Sequence, residues 1–152
     1  MRILIVNGPN LNLLGHRNPE IYGRETLEDI ELMLRNRAQE LDIELAFVQS
    51  NHEGEIVETI HYHRDWDGLI INAGAYTHTS IAIADAIEAV EVIAVEVHLS
   101  NVFQREEFRQ LSYLSPIVWG QIVGFGYRGY LAALDLLHGR LSEEEDEEDA
   151  TS

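Results

Sequence analysis

The sequence predicts an α/β fold in which a five-stranded parallel sheet lies between two layers of helices. Three observations predict it. Short apolar runs alternate along the chain with segments of helical periodicity, the pattern of right-handed β–α–β units. Those runs are apolar almost throughout, as strands covered on both faces must be. Three of them also stop abruptly in polar clusters: Ile3–Val6 in Asn7-Gly8-Pro9-Asn10, Leu69–Ile71 in Asn72-Ala73-Gly74, and Ile93–Val95 in Glu96-Val97-His98-Leu99-Ser100-Asn101. Ligands of open parallel sheets sit outside the carboxyl ends of the strands, so the three clusters would converge on one crevice.

Arg2–Val6 reads as the first strand. Gly8–Arg24 follows as a polar loop punctuated by Gly and Pro, long enough to be a lid or binding loop. Thr26 is an N-cap with Asp29 in the first turn, and Leu27, Ile30, Leu34, Ala38 and Leu41 form one helical stripe. Ile43–Val48 is the second strand, and the helix from Gly54 to about Arg64 turns Ile56, Val57 and Ile60 inward. Gly68–Ile71 is the third strand, Ser80–Val90 an Ala-rich helix suited to close packing, and Val92–Val97 the fourth strand. Arg105–Gln110 reads as a short helix or turn, and Ile117–Val123 as a last strand interrupted by Gly120. Tyr127–Leu141 closes the chain as a helix with Tyr127, Leu131, Leu134 and Leu137 inward. The simplest such fold is flavodoxin-like, a three-layer sandwich with strand order 2-1-3-4-5. Residues 1–141 then form a single domain, and 142–152 an acidic, disordered tail.

Composition narrows the chemistry. The formal charge is −17; seven acids lie between Glu143 and Asp149, and the rest of the chain carries −10. Such a body repels nucleic acid and anionic membranes. It also suggests a protein kept soluble in high salt, where screening relieves self-repulsion. Lysine is absent, which rules out a lysine Schiff base and a Walker-type phosphate loop. Cysteine is absent as well, so neither disulfides nor thiolate chemistry arise, and a cytoplasmic location is the default. No apolar stretch is long enough to span a membrane. His61 and His63 diverge on their helix and no His-Glu-x-x-His pattern occurs, so a zinc site is not expected.

The polar clusters offer candidates, each with a plainer alternative. Asn10 could hold a water or a substrate oxygen, or cap a turn. Arg17 and Tyr22 lie in the long loop. A phenol, with its pKa near ~10, is a poor base at neutral pH until a guanidinium stabilises its anion. The same two residues could equally be a packed ring and a solvated charge. Asn72 and His78 flank the start of the third helix, whose N–H groups favour an anionic or oxyanionic group. Nearby Thr77, Thr79 and Ser80 could simply cap it. Asp85 could face the crevice, a neighbouring subunit or solvent. Glu96 and His98 share one side of a strand, so the carboxylate can fix the tautomer of the imidazole and make it a general acid. A merely hydrogen-bonded His is the alternative. Ser100 with its flanking N–H groups could bind a carboxylate or form a turn. Arg109 could bind a hydroxyl or carboxylate, or lie solvated.

In combination the motifs are specific. Gly8-Pro9-Asn10-Leu11-Asn12-Leu13-Leu14-Gly15, then Arg17, Pro19 and Tyr22-Gly23, resembles the opening of the type II 3-dehydroquinate dehydratases. Gln49-Ser50-Asn51-His52-Glu53-Gly54-Glu55, Asn72 through Ser80, Glu96 through Asn101, Arg105 through Arg109 and Ser112 through Pro116 extend the resemblance over roughly Arg2 to Leu137. It implies a flavodoxin-like lyase that converts 3-dehydroquinate to 3-dehydroshikimate in the shikimate or quinate pathway. It implies neither metal nor organic cofactor, and a homo-oligomer of trimers assembled into a dodecamer. By the same resemblance Tyr22 is the base at C2 and Arg17 supports its phenolate on a mobile lid. Asn10 holds a water that stabilises the enolate. His98 protonates the leaving C1 hydroxyl, with Glu96 orienting it. Leu99 and Ser100 bind the substrate carboxylate, Asn72, His78 and Arg109 the ring hydroxyls, and Asp85 reaches in from an adjacent subunit. The missing lysine independently forbids an imine route.

Overall fold

The computed structural model describes residues 1–152. Its five strands are β1 (Arg2–Asn7), β2 (Glu44–Gln49), β3 (Gly68–Asn72), β4 (Ile93–His98) and β5 (Gly120–Val123). All neighbours pair in parallel in the order β2-β1-β3-β4-β5, the order predicted from the alternation of elements. The helices are α1 (Pro19–Tyr22), α2 (Leu27–Leu41), α3 (Glu53–Tyr62), α4 (Ile81–Val90) and α5 (Arg128–Thr151). No helix is long and apolar enough to cross a membrane.

Successive side chains of a strand point to opposite faces, and β1 divides accordingly. Ile3 and Ile5 pack with Ile30 and Leu34 of α2 and Leu134 and Leu137 of α5. Leu4 and Val6 pack on the other side with Ile56 and Ile60 of α3 and Ile83 and Ile87 of α4. Each such buried aliphatic side chain contributes roughly 1.5–3 kcal/mol. These two cores hold the sheet rigid, and the carboxyl ends of β1, β3 and β4 lie side by side, with Asn7 in register with Asn72 and Ile71 with Glu96.

Helix starts follow their capping residues. Thr26 accepts from the Asp29 N–H at 3.1 Å while Asp29 accepts from the Thr26 N–H at 2.9 Å, a reciprocal capping box. Ser80 alone, of the Thr77–Ser80 group, caps α4, accepting from the Ile83 N–H at 3.0 Å.

Four features depart from the sequence reading. The long loop contains a one-turn helix, α1, which starts at Pro19, a residue whose fixed φ suits a first helical position. β5 covers only Gly120–Val123, because Ile117 and Val118 turn back onto the Leu114 carbonyl instead of joining the ladder. The buried face of α5 centres on Tyr130, Leu134, Leu137 and Leu141, with Tyr127 and Leu131 at its margin. The polar tip of Tyr130 finds partners inside, so an amphipathic side chain takes a core position. Finally, the disordered tail expected over 142–152 is helical as far as Thr151. Packing has already nucleated α5, Glu propagates a helix well, and Arg140 Nε meets Glu144 Oε1 at 3.1 Å one turn on.

Candidate active site

The site is built on a close approach of two strand ends. The Gly8 N–H donates to the Asn72 carbonyl at 2.8 Å. A Cβ on Gly8 would stand 2.3 Å from the Ala73 carbonyl oxygen, so only glycine lets β1 and β3 deliver their loops together. The chain then turns through Asn10 at a φ of 68°, a left-handed conformation asparagine tolerates. Asn51 holds that turn by accepting the Asn10 N–H at 3.0 Å, and Gln49 ties Asn51 to the Gly8 carbonyl.

β4 supplies an acid–base pair. His98 Nε2 lies 2.5 Å from Glu96 Oε2, with the carboxylate wholly buried and the ring 6% exposed. Ser112 Oγ donates to Glu96 at 2.9 Å, and Gln121, opposite Glu96 in the β4–β5 register, donates at 3.0 Å. Burial pushes the Glu96 carboxyl up, but the hydrogen bond and charge of His98, with the Gln121 and Ser112 bonds, outweigh it and hold the group below the ordinary carboxylate range. Glu96 therefore stays charged and accepts the hydrogen bond of the Nε2–H, which leaves Nδ1 for the cavity. His78 stacks on His98 with 6.5 Å between ring centroids. Its own Nδ1 lies 2.7 Å from the Leu111 carbonyl, an acceptor, so Nδ1 carries a proton and Nε2 is the free nitrogen.

α1 supplies the phenol. Its Pro19 start and the left-handed Asn18 before it fold the loop back, so that Arg17 and Tyr22 meet. Arg17 Nη2 donates to Tyr22 Oη at 3.2 Å, and its guanidinium carbon lies 4.6 Å from the ring centroid. Arg105 stands 5.3 Å from the same centroid, and its Nη1 reaches Ser100 Oγ at 3.5 Å. Two cations therefore border the phenol, where negative charge would form on proton removal.

One cavity of about 130 Å³ gathers these groups. Asn10, Arg17, Tyr22, Asn72, His78, His98, Leu99, Ser100 and Arg109 all line it, and Glu96 stands directly behind His98. Arg109 is braced there by Glu106, whose Oε2 lies 2.8 Å from its Nε. Asp85 is the exception: it is exposed on α4 and does not line the cavity of its own chain. A groove beside Trp119 is larger, about 480 Å³, but Asp135, Glu143, Glu144 and Glu147 line it and no acid–base pair faces it. Nowhere do three or more His, Asp or Glu side chains gather as a metal ion would need.

Sequence reasoning gave no role to Arg105, Ser112, Gln121, Asn7 or Tyr130. Arg105 carried a usable signal, since it opens the charged run before Arg109. Gln121 and Ser112 carried none, because their place beside Glu96 depends on strand register and on a turn between β4 and β5.

A parallel 2-1-3-4-5 sheet with this cavity at its carboxyl edge defines a flavodoxin-like protein equipped for acid–base chemistry on a small polar molecule. Comparison with known proteins narrows the class. The sequence profile described as Dehydroquinase class II matches residues 1–138. A 3-dehydroquinate dehydratase of Dinoroseobacter shibae is 56% identical over 143 residues, covering 93% of this chain and 95% of that one. One from Gloeothece citriformis is 56% identical over 135 residues, covering 87% and 88%. The crystal structure of the type II dehydroquinase from Butyrivibrio crossotus superposes with a TM-score of 0.89 at 48% identity, covering 90% of this chain and 97% of that one. The chain belongs to the class II dehydroquinase family.

Proposed function

We propose that this protein removes water from 3-dehydroquinate to give 3-dehydroshikimate, a step of the shikimate or quinate pathway, by elimination through an enolate. The observation that carries the reading is a single cavity bordered by both a cation-flanked phenol and an imidazole backed by a buried carboxylate. The names of the relatives point to the same reaction.

Elimination β to a ketone needs a base at the α-carbon, a stabiliser for the enolate oxygen and an acid at the leaving group. Tyr22, as the phenolate supported by Arg17, takes the C2 proton. Electrons move into the C3 carbonyl, whose oxygen is stabilised by a water held at Asn10. As the enolate collapses, His98 gives its Nδ1 proton to the C1 hydroxyl, which leaves as water while the C1–C2 double bond forms. Glu96 holds the imidazolium. Leu99 and Ser100 bind the carboxylate, and Asn72, His78 and Arg109 the ring oxygens. Every proton has a side chain to carry it, so the scheme calls on no metal or organic cofactor. Against a body of strong negative charge, Arg17, Arg105 and Arg109 make the crevice locally positive for an anionic substrate.

The catalytic unit in this reading is residues 1–141, and the protein works in the cytoplasm as trimers assembled to a dodecamer. The exposure of Asp85 on α4 suits a contribution to a neighbour's cavity. The test is enone absorbance on mixing the protein with 3-dehydroquinate, repeated with Tyr22→Phe and His98→Ala. The reading expects turnover by the native protein and its loss in both variants with the fold retained; full activity in Tyr22→Phe would remove the base.

A further inference from the structure

Beneath the cavity floor, side chains from β1, β3 and α5 form a hydrogen-bond chain whose direction is fixed throughout. The Gly74 N–H donates to Asn72 Oδ1 at 3.1 Å. Only the oxygen of an amide can accept there, so Nδ2 faces the other way, onto Tyr130 Oη at 3.0 Å. The hydroxyl accepts that bond and sends its own proton on to Asn7 Oδ1 at 2.5 Å. Tyr130 is 0%, Asn7 1% and Asn72 4% exposed, so bulk water replaces none of these contacts. Burial pushes the ionisation of Tyr130 well above the ordinary tyrosine range despite the bond from Asn72, so the hydroxyl keeps its proton throughout the working pH range.

An amide nitrogen carries two N–H groups. One of those on Asn72 is committed to Tyr130 and the amide oxygen accepts from Gly74, which leaves one uncommitted N–H in a residue that lines the cavity. We propose that Tyr130 is a positioning residue of the reaction: by accepting one Asn72 N–H, it locks the amide so that the other is a lone donor aimed at a substrate oxygen. Asn72 then presents a fixed N–H to the ligand. The ring position that N–H meets carries a lone pair, as a hydroxyl oxygen does. The proposal rests on Asn72 being a substrate ligand. Its own content is that the amide is oriented from α5, by a residue that does not line the cavity.

Tyr130→Phe keeps the ring and removes only the hydroxyl. The expected result is a fall in kcat/KM of about tenfold, carried by KM more than by kcat, because the lost orientation weakens binding in the ground and transition states alike. In an Asn72→Ala background the same substitution should change kcat/KM by less than about twofold, since no amide remains to orient. Its effect on melting temperature should persist there, because Asn7 still loses its donor. An equal fall in both backgrounds would overturn the proposal in favour of a purely structural role, as would native kcat/KM in Tyr130→Phe. If Asn72→Ala by itself leaves kcat/KM unchanged, the assignment of Asn72 as a substrate ligand fails, and the proposal fails through that premise and not through Tyr130. Should Tyr130→Phe not fold, Asn7→Ala decides: it frees the hydroxyl proton to turn against the Asn72 donor, and the same loss, absent from the Asn72→Ala background, is expected.

Discussion

Glu96→Gln keeps the shape of a wholly buried side chain and removes its charge. In the native protein that carboxylate faces His98 Nε2 at 2.5 Å and accepts from Ser112 and Gln121. A hydrogen bond involving a charged group is worth about 1.5–3 kcal/mol net. Since about 1.4 kcal/mol is a factor of ten, losing the charge that holds His98 is worth about 10- to 150-fold. The assay is kcat/KM at neutral pH, which should fall by that factor. Stability reports the same carboxylate independently. The Glu96 carboxyl ionises at lower pH in the folded chain than in the unfolded one. Its contribution is therefore complete above the ordinary Glu value of about 4.3 and disappears as pH falls through the folded value. Urea unfolding below about pH 5 should consequently weaken more steeply with acid in the native protein than in Glu96→Gln. A kcat/KM unchanged by the substitution would refute the reasoning.

Further outcomes follow from the same structure. Gly8→Ala places a Cβ 2.3 Å from a backbone oxygen that cannot rotate away, so it should cost more than the about 1–3 kcal/mol of ordinary overpacking; an unchanged melting temperature would contradict this. A chain ending at Leu141 should keep native turnover, because the half-buried Arg140–Glu144 pair it loses stands outside the cavity lining and contributes only about 1 kcal/mol. A large fall in kcat on truncation would return the acidic segment to the catalytic unit. With a net charge of −17, the protein should melt at higher temperature as salt rises towards about 1 M, where the Debye length is about 3 Å. A stability optimum at low ionic strength would count against an acidic surface suited to high salt.

The sheet order and the covering of both faces were legible because apolar patterning reports burial directly: the α2 stripe and the continuous apolar run of β1 are buried as the sequence implies. Asn10, Arg17, Tyr22, His78 and His98 were legible because strand ends and a long loop concentrate polar groups at one sheet edge. What escaped depended on register and on polar groups inside the core. Gln121 lies beside Glu96 only because β5 pairs with β4 in one particular register. Tyr130 lay outside the inward stripe read from the sequence, and nothing local marks a tyrosine whose hydroxyl finds two asparagines on other elements. The acidic end of α5 was misread as disordered because composition alone cannot register that a packed helix already leads into it.

The division of labour between Tyr22 and His98 is the central claim, and hydrogen exchange at C2 tests it most directly. In deuterium oxide, His98→Ala should still incorporate deuterium at C2 of 3-dehydroquinate while dehydration falls about 10²- to 10⁴-fold, and Tyr22→Phe should lose exchange and dehydration together. Exchange at the native rate in Tyr22→Phe would contradict the account.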